Sequence, residues 1–184
     1  MAVFGKAQYI KRVEDDRLLT GTGGFTDNLA RANQAHVVLV RSPHAHAKIT
    51  RIDTAEARKA PGVIAVYTWE GVGDFSFPAM FPNADGSKPE MTPRRSLAHE
   101  VVRYVGEAVV AIVAETHGQA QDAVELVEVD YDPLPSVSTI EDALKPGAPQ
   151  VWQGAPGNLV GFNRFGDAAK ADEAFKAAAH IVPR

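Results

Sequence analysis

An α+β fold is what this 184-residue sequence predicts, and three observations carry it. Short β-branched runs recur between turn residues, as half-buried strands require. One run, Ala108-Val109-Val110-Ala111-Ile112-Val113-Ala114, is apolar at every position, which is the pattern of a strand buried on both faces. Directly after it, Thr116 and Gln119 form a capping box that opens a helix with one apolar stripe at Ala120, Ala123, Val124 and Val127.

The elements follow in chain order. Residues 1–20 are polar and mixed in charge, and Gly21-Thr22-Gly23-Gly24 then breaks regular structure, so an N-terminal arm leading into a turn is expected. His36-Val37-Val38-Leu39-Val40-Arg41, bounded by Asn33 and by Ser42-Pro43, is a strand, and residues 47–52 are a second. Asp53 or Thr54 caps a short helix carrying Ala55, Ala57 and Ala60, which Pro61-Gly62 stops before a strand over residues 63–68. This is a strand–helix–strand unit.

Residues 71–95 hold Pro78, Pro82, Pro89 and Pro93, with Phe75, Phe77 and Phe81 interleaved. A loop this long inside a domain tends to be functional or to pack on a neighbour, and three Phe side chains favour packing on another surface. The loop and the 1–20 arm are therefore expected to be interface elements. Regular structure resumes with a strand over residues 101–105. Glu128-Val129-Asp130-Tyr131 alternates as a strand after the capped helix, and Asp132-Pro133-Leu134-Pro135 ends it, because proline cannot continue a central ladder. Ser138 and Glu141 read as a second capping box, for a short helix to Leu144. Asp167 caps a last helix carrying Ala171, Ala174, Phe175 and Ala178, after which Ile181-Val182 looks like the start of another strand. Ending there, the chain reads as an incomplete functional unit.

Composition excludes several chemistries. With 45% hydrophobic and 23% charged residues, the chain has an ordinary globular balance. It contains no Cys, so it cannot hold a disulfide, a thiolate zinc site, a Cys nucleophile or a Cys-ligated iron–sulfur cluster. A net charge of −4 with scattered basic residues, Arg94-Arg95 among the adjacent pairs, offers no general attraction to nucleic acid. No apolar run approaches the length of a membrane span, and Met1 to Lys11 lack the apolar region of a secretory signal. A soluble cytoplasmic chain is expected.

Motif by motif, no active site emerges. Gly21-Thr22-Gly23-Gly24-Phe25-Thr26 has Thr26 where a dinucleotide fingerprint needs its third glycine, and no strand precedes it. His44 and His46 lie on one side of an extended segment and could supply two metal ligands, but the sequence names no third. Polar hairpin residues are the reading adopted. No Gly-x-Ser-x-Gly elbow occurs. The carboxylate clusters Asp15-Asp16, Glu125-Glu128-Asp130 and Asp172-Glu173 suit solvation better than catalysis. The site prediction is therefore that this chain carries no catalytic, cofactor-binding or metal-ligating residue.

Several segments together resemble one family. Arg12-Val13-Glu14-Asp15-Asp16-Arg17-Leu18-Leu19-Thr20-Gly21 and Gly24-Phe25-Thr26-Asp27-Asn28-Leu29 are similar to the N-terminal region of the molybdenum hydroxylase large subunit. That is the family of xanthine dehydrogenase, aldehyde oxidase and aerobic carbon monoxide dehydrogenase. Val40-Arg41-Ser42-Pro43-His44-Ala45-His46-Ala47-Lys48-Ile49, Pro61-Gly62-Val63 and Val102-Arg103-Tyr104-Val105-Gly106-Glu107 follow in the family's order. So do Val113-Ala114-Glu115-Thr116 and Val129-Asp130-Tyr131-Asp132-Pro133-Leu134-Pro135.

The resemblance implies an N-terminal arm over residues 1–19 and an α/β hammerhead domain over 20–134. It also implies a linker and truncated start of the first molybdopterin-binding domain over 135–184. Members oxidise aldehydes, N-heterocycles or CO with water as oxygen donor, using a molybdenum–pyranopterin cofactor (molybdopterin) whose electrons pass through iron–sulfur clusters to FAD. In bacterial members the clusters and the FAD usually lie on separate subunits. The implied partners are thus the remainder of the large subunit or a separate cofactor-binding chain, an iron–sulfur subunit and an FAD subunit, with no nucleic acid and no membrane span. The family's molybdenum-proximal Gln and base Glu lie downstream of this sequence, so no family site residue carries over. On this reading the chain is a scaffold and docking surface, inactive alone. The alternatives are a natural small subunit of a split enzyme and a non-catalytic binding module with Phe75, Phe77 and Phe81 lining a ligand pocket.

Overall fold

The computed structural model describes residues 12–73, 76–77, 82–90 and 92–182, with the side chains of Asp27, Ser76 and Phe77 excepted. The chain divides into two compact units, Met1–Ala35 and His36–Arg184. In the first, α1 (Asp15–Leu19) is followed by a 3-10 turn at Thr26–Asn28. Asp15 and Asp16 occupy the first turn of α1, where carboxylates favour the positive end of the helix dipole. Thr20 donates its hydroxyl to the Asp16 carbonyl at 2.6 Å, and Gly21 takes the positive φ of 73° that ends the helix. A short helix thus stands within the segment expected to be a plain arm.

The second unit contains two three-stranded antiparallel sheets and a two-stranded ladder among the described residues. Its strands are β1 (His36–Arg41), β2 (Ala47–Asp53), β3 (Val63–Tyr67), β4 (Ser76–Phe77), β5 (Arg94–Arg95), β6 (Val101–Val102), β7 (Ala108–Ala114) and β8 (Glu128–Pro133). Sheet order is β1-β7-β3 in one and β6-β2-β8 in the other. β7 is central, as its unbroken apolar run demands: Val109, Val110, Ile112 and Ala114 are fully buried. Helix α2 is a single turn at Trp69–Val72, and α3 (His117–Val124) lies on β7 and β1. One hydrophobic cluster draws Val66, Val109 and Ile112 from the first sheet, Ala47 and Val102 from the second, and Ala120 and Ala123 from α3.

The capping box opening α3 forms as expected. Thr116 Oγ1 accepts the Gln119 N–H at 3.3 Å, and Gln119 Oε1 accepts the Thr116 N–H at 3.0 Å. Gly62 makes this corner possible. Its φ is +74°, and a Cβ there would overlap the Gln119 side chain.

Five sequence expectations need correction. The strand–helix–strand unit is not one sheet: β2 and β3 belong to different sheets. The element between them is a 3-10 turn, Ala57–Lys59, because the few residues between Asp53 and Pro61 cannot repay helix nucleation. Pro133 lies inside β8, paired with Ala47, and is tolerated because β8 is an edge strand. The second cap shifts by one residue: α4 (Ile140–Ala143) is capped by Thr139, which accepts the Asp142 N–H at 3.1 Å. In that frame Asp142 also meets Thr139 Oγ1 and Lys145 Nζ, a combination the Ser138–Glu141 frame lacks.

The expected strand over 101–105 stops at Val102, because Arg103 begins a turn in which Gly106 adopts a φ of +88°. Finally, α5 (Ala168–Ala177) is capped by Asp167 as predicted but buries no residue, and no strand forms at Ile181 or Val182, both exposed. The Pro-rich loop is held within the chain itself. β4 pairs with β5, Ala84 and Glu90 donate N–H bonds to the carbonyls of Phe162 and Val160, and Phe162 donates to Asn83 Oδ1 at 3.0 Å. Phe75, Phe81 and the Phe77 side chain lie outside the described residues.

Two substitutions test this hierarchy. Ile112→Ala is expected to cost about 2–5 kcal/mol of unfolding free energy in urea titrations, as buried large-to-small changes do. Thr116→Ala is expected to cost about 1 kcal/mol through loss of the cap.

Candidate functional site

Two concavities carry polar side chains. The first, of about 350 Å³, is lined by Arg94, Arg95, Arg103, Tyr104, Glu107 and Trp152, and a larger groove shares Arg95, Arg103 and Trp152 with it. The second, of about 270 Å³, is lined by β2 residues together with Trp69, Glu70, His99 and Glu100.

The arginine cleft is built by elements that sequence reading could not bring together. Arg94 and Arg95 come from β5, Arg103 and Glu107 from the turn between β6 and β7, and Trp152 from the segment after α4. The turn is tightly held: Gly106 N–H donates to the Ser42 carbonyl at 2.8 Å, Ser42 N–H to the Glu107 carbonyl at 2.9 Å, and Arg41 Nη1 to the Gly106 carbonyl at 2.7 Å. The Arg103 guanidinium lies over the Trp152 ring at 4.0 Å, a cation–π contact, and its Nη1 donates to the Val101 carbonyl at 3.0 Å. Its Nε is buried without a hydrogen-bond partner among the described residues. Glu107 is buried, and its Oε2 accepts the backbone N–H of Arg103. Burial pushes the Glu107 carboxyl above its ordinary value, offset in part by that N–H and by the charges of Arg103 and Arg94. Burial likewise lowers the Arg103 guanidinium, with Glu107 opposing and Arg95 adding to the effect.

In the second cleft, Trp69 stacks on His99 with ring centroids 3.6 Å apart, and Arg95 sits 5.9 Å from the Trp69 ring. The Trp69 indole Nε1 is buried without a partner among the described residues.

The residues singled out from sequence are placed as follows. His46 Nδ1 bonds the Pro135 carbonyl at 2.8 Å, and the His44 ring packs on Tyr131 at 4.9 Å, so the two imidazoles face different partners. Among the described residues no group of three His, Cys, Asp or Glu side chains lies together to hold a metal ion. Glu128 and Asp130 pair with Arg51, which also bonds Asp53 at 3.1 Å; cross-strand pairing of β2 with β8 sets this exposed cluster. Asp172 and Glu173 are exposed on α5. Sequence reading missed the arginine cleft. The adjacent Arg94-Arg95 pair was its only visible trace, since Arg103 and Trp152 are distant in sequence.

The mixed helices and antiparallel sheets around β7 are those of an α/β hammerhead, and residues 20–135 match the family model described as "Aldehyde oxidase and xanthine dehydrogenase, a/b hammerhead domain". The chain belongs to this family of molybdenum hydroxylases. It is 39% identical over 184 residues to the nicotine 6-hydroxylase large subunit of Paenarthrobacter nicotinovorans, a match covering 98% of this chain and 21% of that protein. It is 36% identical over 151 residues to the carbon monoxide dehydrogenase large chain of Afipia carboxidovorans, covering 82% of this chain and 18% of that one. Among solved structures, quinoline 2-oxidoreductase from Pseudomonas putida 86 superposes with a TM-score of 0.67 at 38% identity, over 79% of this chain and 19% of that chain. The chain thus spans about a fifth of the length of the curated relatives it matches. No helix among the described residues is long and apolar enough to cross a membrane.

The buried carboxyl sets a pH test. From the ordinary value of 4.5 up to its raised folded value, the native chain retains a proton on Glu107 that the unfolded chain has released. Stability therefore falls as pH rises through that window, and the stability due to this group is greatest below it. Glu107→Gln is expected to remove this component. In urea titrations the wild type should lose stability relative to the variant between pH 4 and pH 7, and a constant difference would contradict the assignment.

Proposed function

We propose that this chain is the N-terminal portion of the large, molybdenum-cofactor subunit of a molybdenum hydroxylase, an oxidoreductase acting on aldehydes, N-heterocycles or CO with water as oxygen donor. The observation that carries this is the match of residues 20–135 to the hammerhead model, in a chain spanning about a fifth of relatives that are large subunits. Within it, residues 1–19 are an arm, 20–134 the hammerhead domain, and 135–184 a linker and the start of the first molybdopterin-binding domain. N-heterocycles are the favoured substrate class, because relatives at 39% and 38% identity are named for nicotine and quinoline.

The chain's role is scaffolding and docking. Molybdopterin supplies oxidative hydroxylation where it is bound, but the residues described here do not fit as its seat. There is no Cys, no group of three metal-ligating side chains is assembled among the described residues, and both imidazoles of the His44/His46 pair are engaged elsewhere. No chemical step is assigned to this chain. Its partners on this reading are the remaining large-subunit domains, an iron–sulfur subunit and an FAD subunit, in the cytoplasm. A split enzyme, with this chain as a natural small subunit beside a separate cofactor-binding chain, is the second reading.

Purification from the native source with metal and flavin analysis tests the proposal. The expected result is this sequence at the start of a polypeptide roughly five times as long, co-purifying with molybdenum, iron and FAD. Recovery as a 184-residue chain beside a separate molybdenum-bearing chain supports the split enzyme. Substrate turnover or molybdopterin binding by the isolated chain would overturn the scaffold role.

A further inference from the structure

We propose that the cleft between Arg94, Arg103 and Trp152 binds a small doubly charged oxyanion of the phosphate class. This rests on the geometry of the cleft and is independent of the reading of the whole subunit.

Charge is the first support. Three guanidinium groups and one carboxylate line a cavity of about 350 Å³, a local excess of two positive charges in a chain whose net charge is −4. Glu107 does not cancel them by direct pairing. Its Oε2 is taken by the backbone N–H of Arg103, and neither Arg94 nor Arg103 forms a salt bridge among the described residues. Partly buried guanidinium groups without a bonded counter-ion pay desolvation without recovering it, and an anion seated between them restores the balance.

Preorganisation is the second support. Arg103 is fixed in orientation by the Trp152 ring beneath it and by the bond from its Nη1 to Val101, while its buried Nε remains an unmet donor. Trp152 is held in turn. Asn158 Oδ1 accepts the Val151 N–H at 2.9 Å, Asn158 Nδ2 donates to the carbonyls of Ala143 and Pro149 at 3.0 Å, and Gln150 Nε2 donates to the Trp152 carbonyl at 2.7 Å. A wall set before the ligand arrives loses little freedom on binding. A planar guanidinium presents paired N–H donors that match two oxygens of one oxyanion, which an ammonium does not. Size is the third support: the cavity admits an oxyanion and a few waters but not a helix or a folded segment.

Isothermal titration of the full chain, in the complex in which it is purified, with inorganic phosphate and separately with ADP tests the assignment. Saturable one-to-one binding is expected. Arg94→Gln and Arg103→Gln should each weaken it roughly tenfold, the loss of one charge-assisted contact. Arg51→Gln, which removes a guanidinium already surrounded by three carboxylates, should leave it unchanged. Arg94 is exposed, so its variant tests the site without disturbing the core. In a Trp69→Phe background, phosphate should shift the fluorescence of Trp152. Tighter binding of ADP than of phosphate assigns the site to a phosphate borne on an organic group, and the reverse assigns it to the free ion. Three results would overturn the proposal: no saturable binding of either, unchanged affinity in the Arg103 and Arg94 variants, or binding of an oligoglutamate peptide where both phosphates fail.

Discussion

Everything in the larger unit depends on removing β7 from water. Seven consecutive apolar residues leave that strand no solvent face, so both its edges must be paired and both its faces covered. β1 and β3 take the edges, α3 lies over β7 and β1, and side chains from the second sheet complete the cluster. The capping box at Thr116 and Gln119 then acts as more than a helix start. It meets the Gly62 corner leading into β3, so one local motif joins the helix to the strand on the far side of β7.

The polar features are consequences of that frame. Once β7 is fixed, the turn before it must enter the strand at Ala108, and this places Arg103 and Glu107 at the mouth of the core. Glu107 is buried by its position in a tight turn bonded to Ser42, and its shifted carboxyl follows from that burial. Arg51 shows the opposite regime. Its three carboxylate partners are exposed, so the cluster contributes little to stability, yet it lines β2 against the edge strand β8 with paired charges that discourage further strand addition.

Membership of the molybdenum hydroxylase family gives these features a setting. A hammerhead whose loop over residues 82–90 is bonded to its own segment at 160–162, and whose helix α5 buries nothing within this chain, presents surfaces apart from its own core. That arrangement accords with a docking role and places the chemistry elsewhere in the enzyme.

The sequence by itself determined the local elements. Strand positions were legible wherever a β-branched run met a breaker, as at residues 36–41, and the α3 cap was legible because a capping box is a four-residue signal. Its ordered motifs also carried the family. Expectations failed where two local frames competed or where tertiary position decided. Thr139 displaced Ser138 because Asp142 could serve two partners at once. Pro133 stayed in its strand because that strand is an edge, and an edge is defined by what does not pair with it. The allocation of β2 and β3 to separate sheets, and the meeting of Arg94, Arg103 and Trp152, belong to the tertiary structure alone. Residues so far apart in sequence share no local hydrogen bond, and only the burial of β7 brings them together.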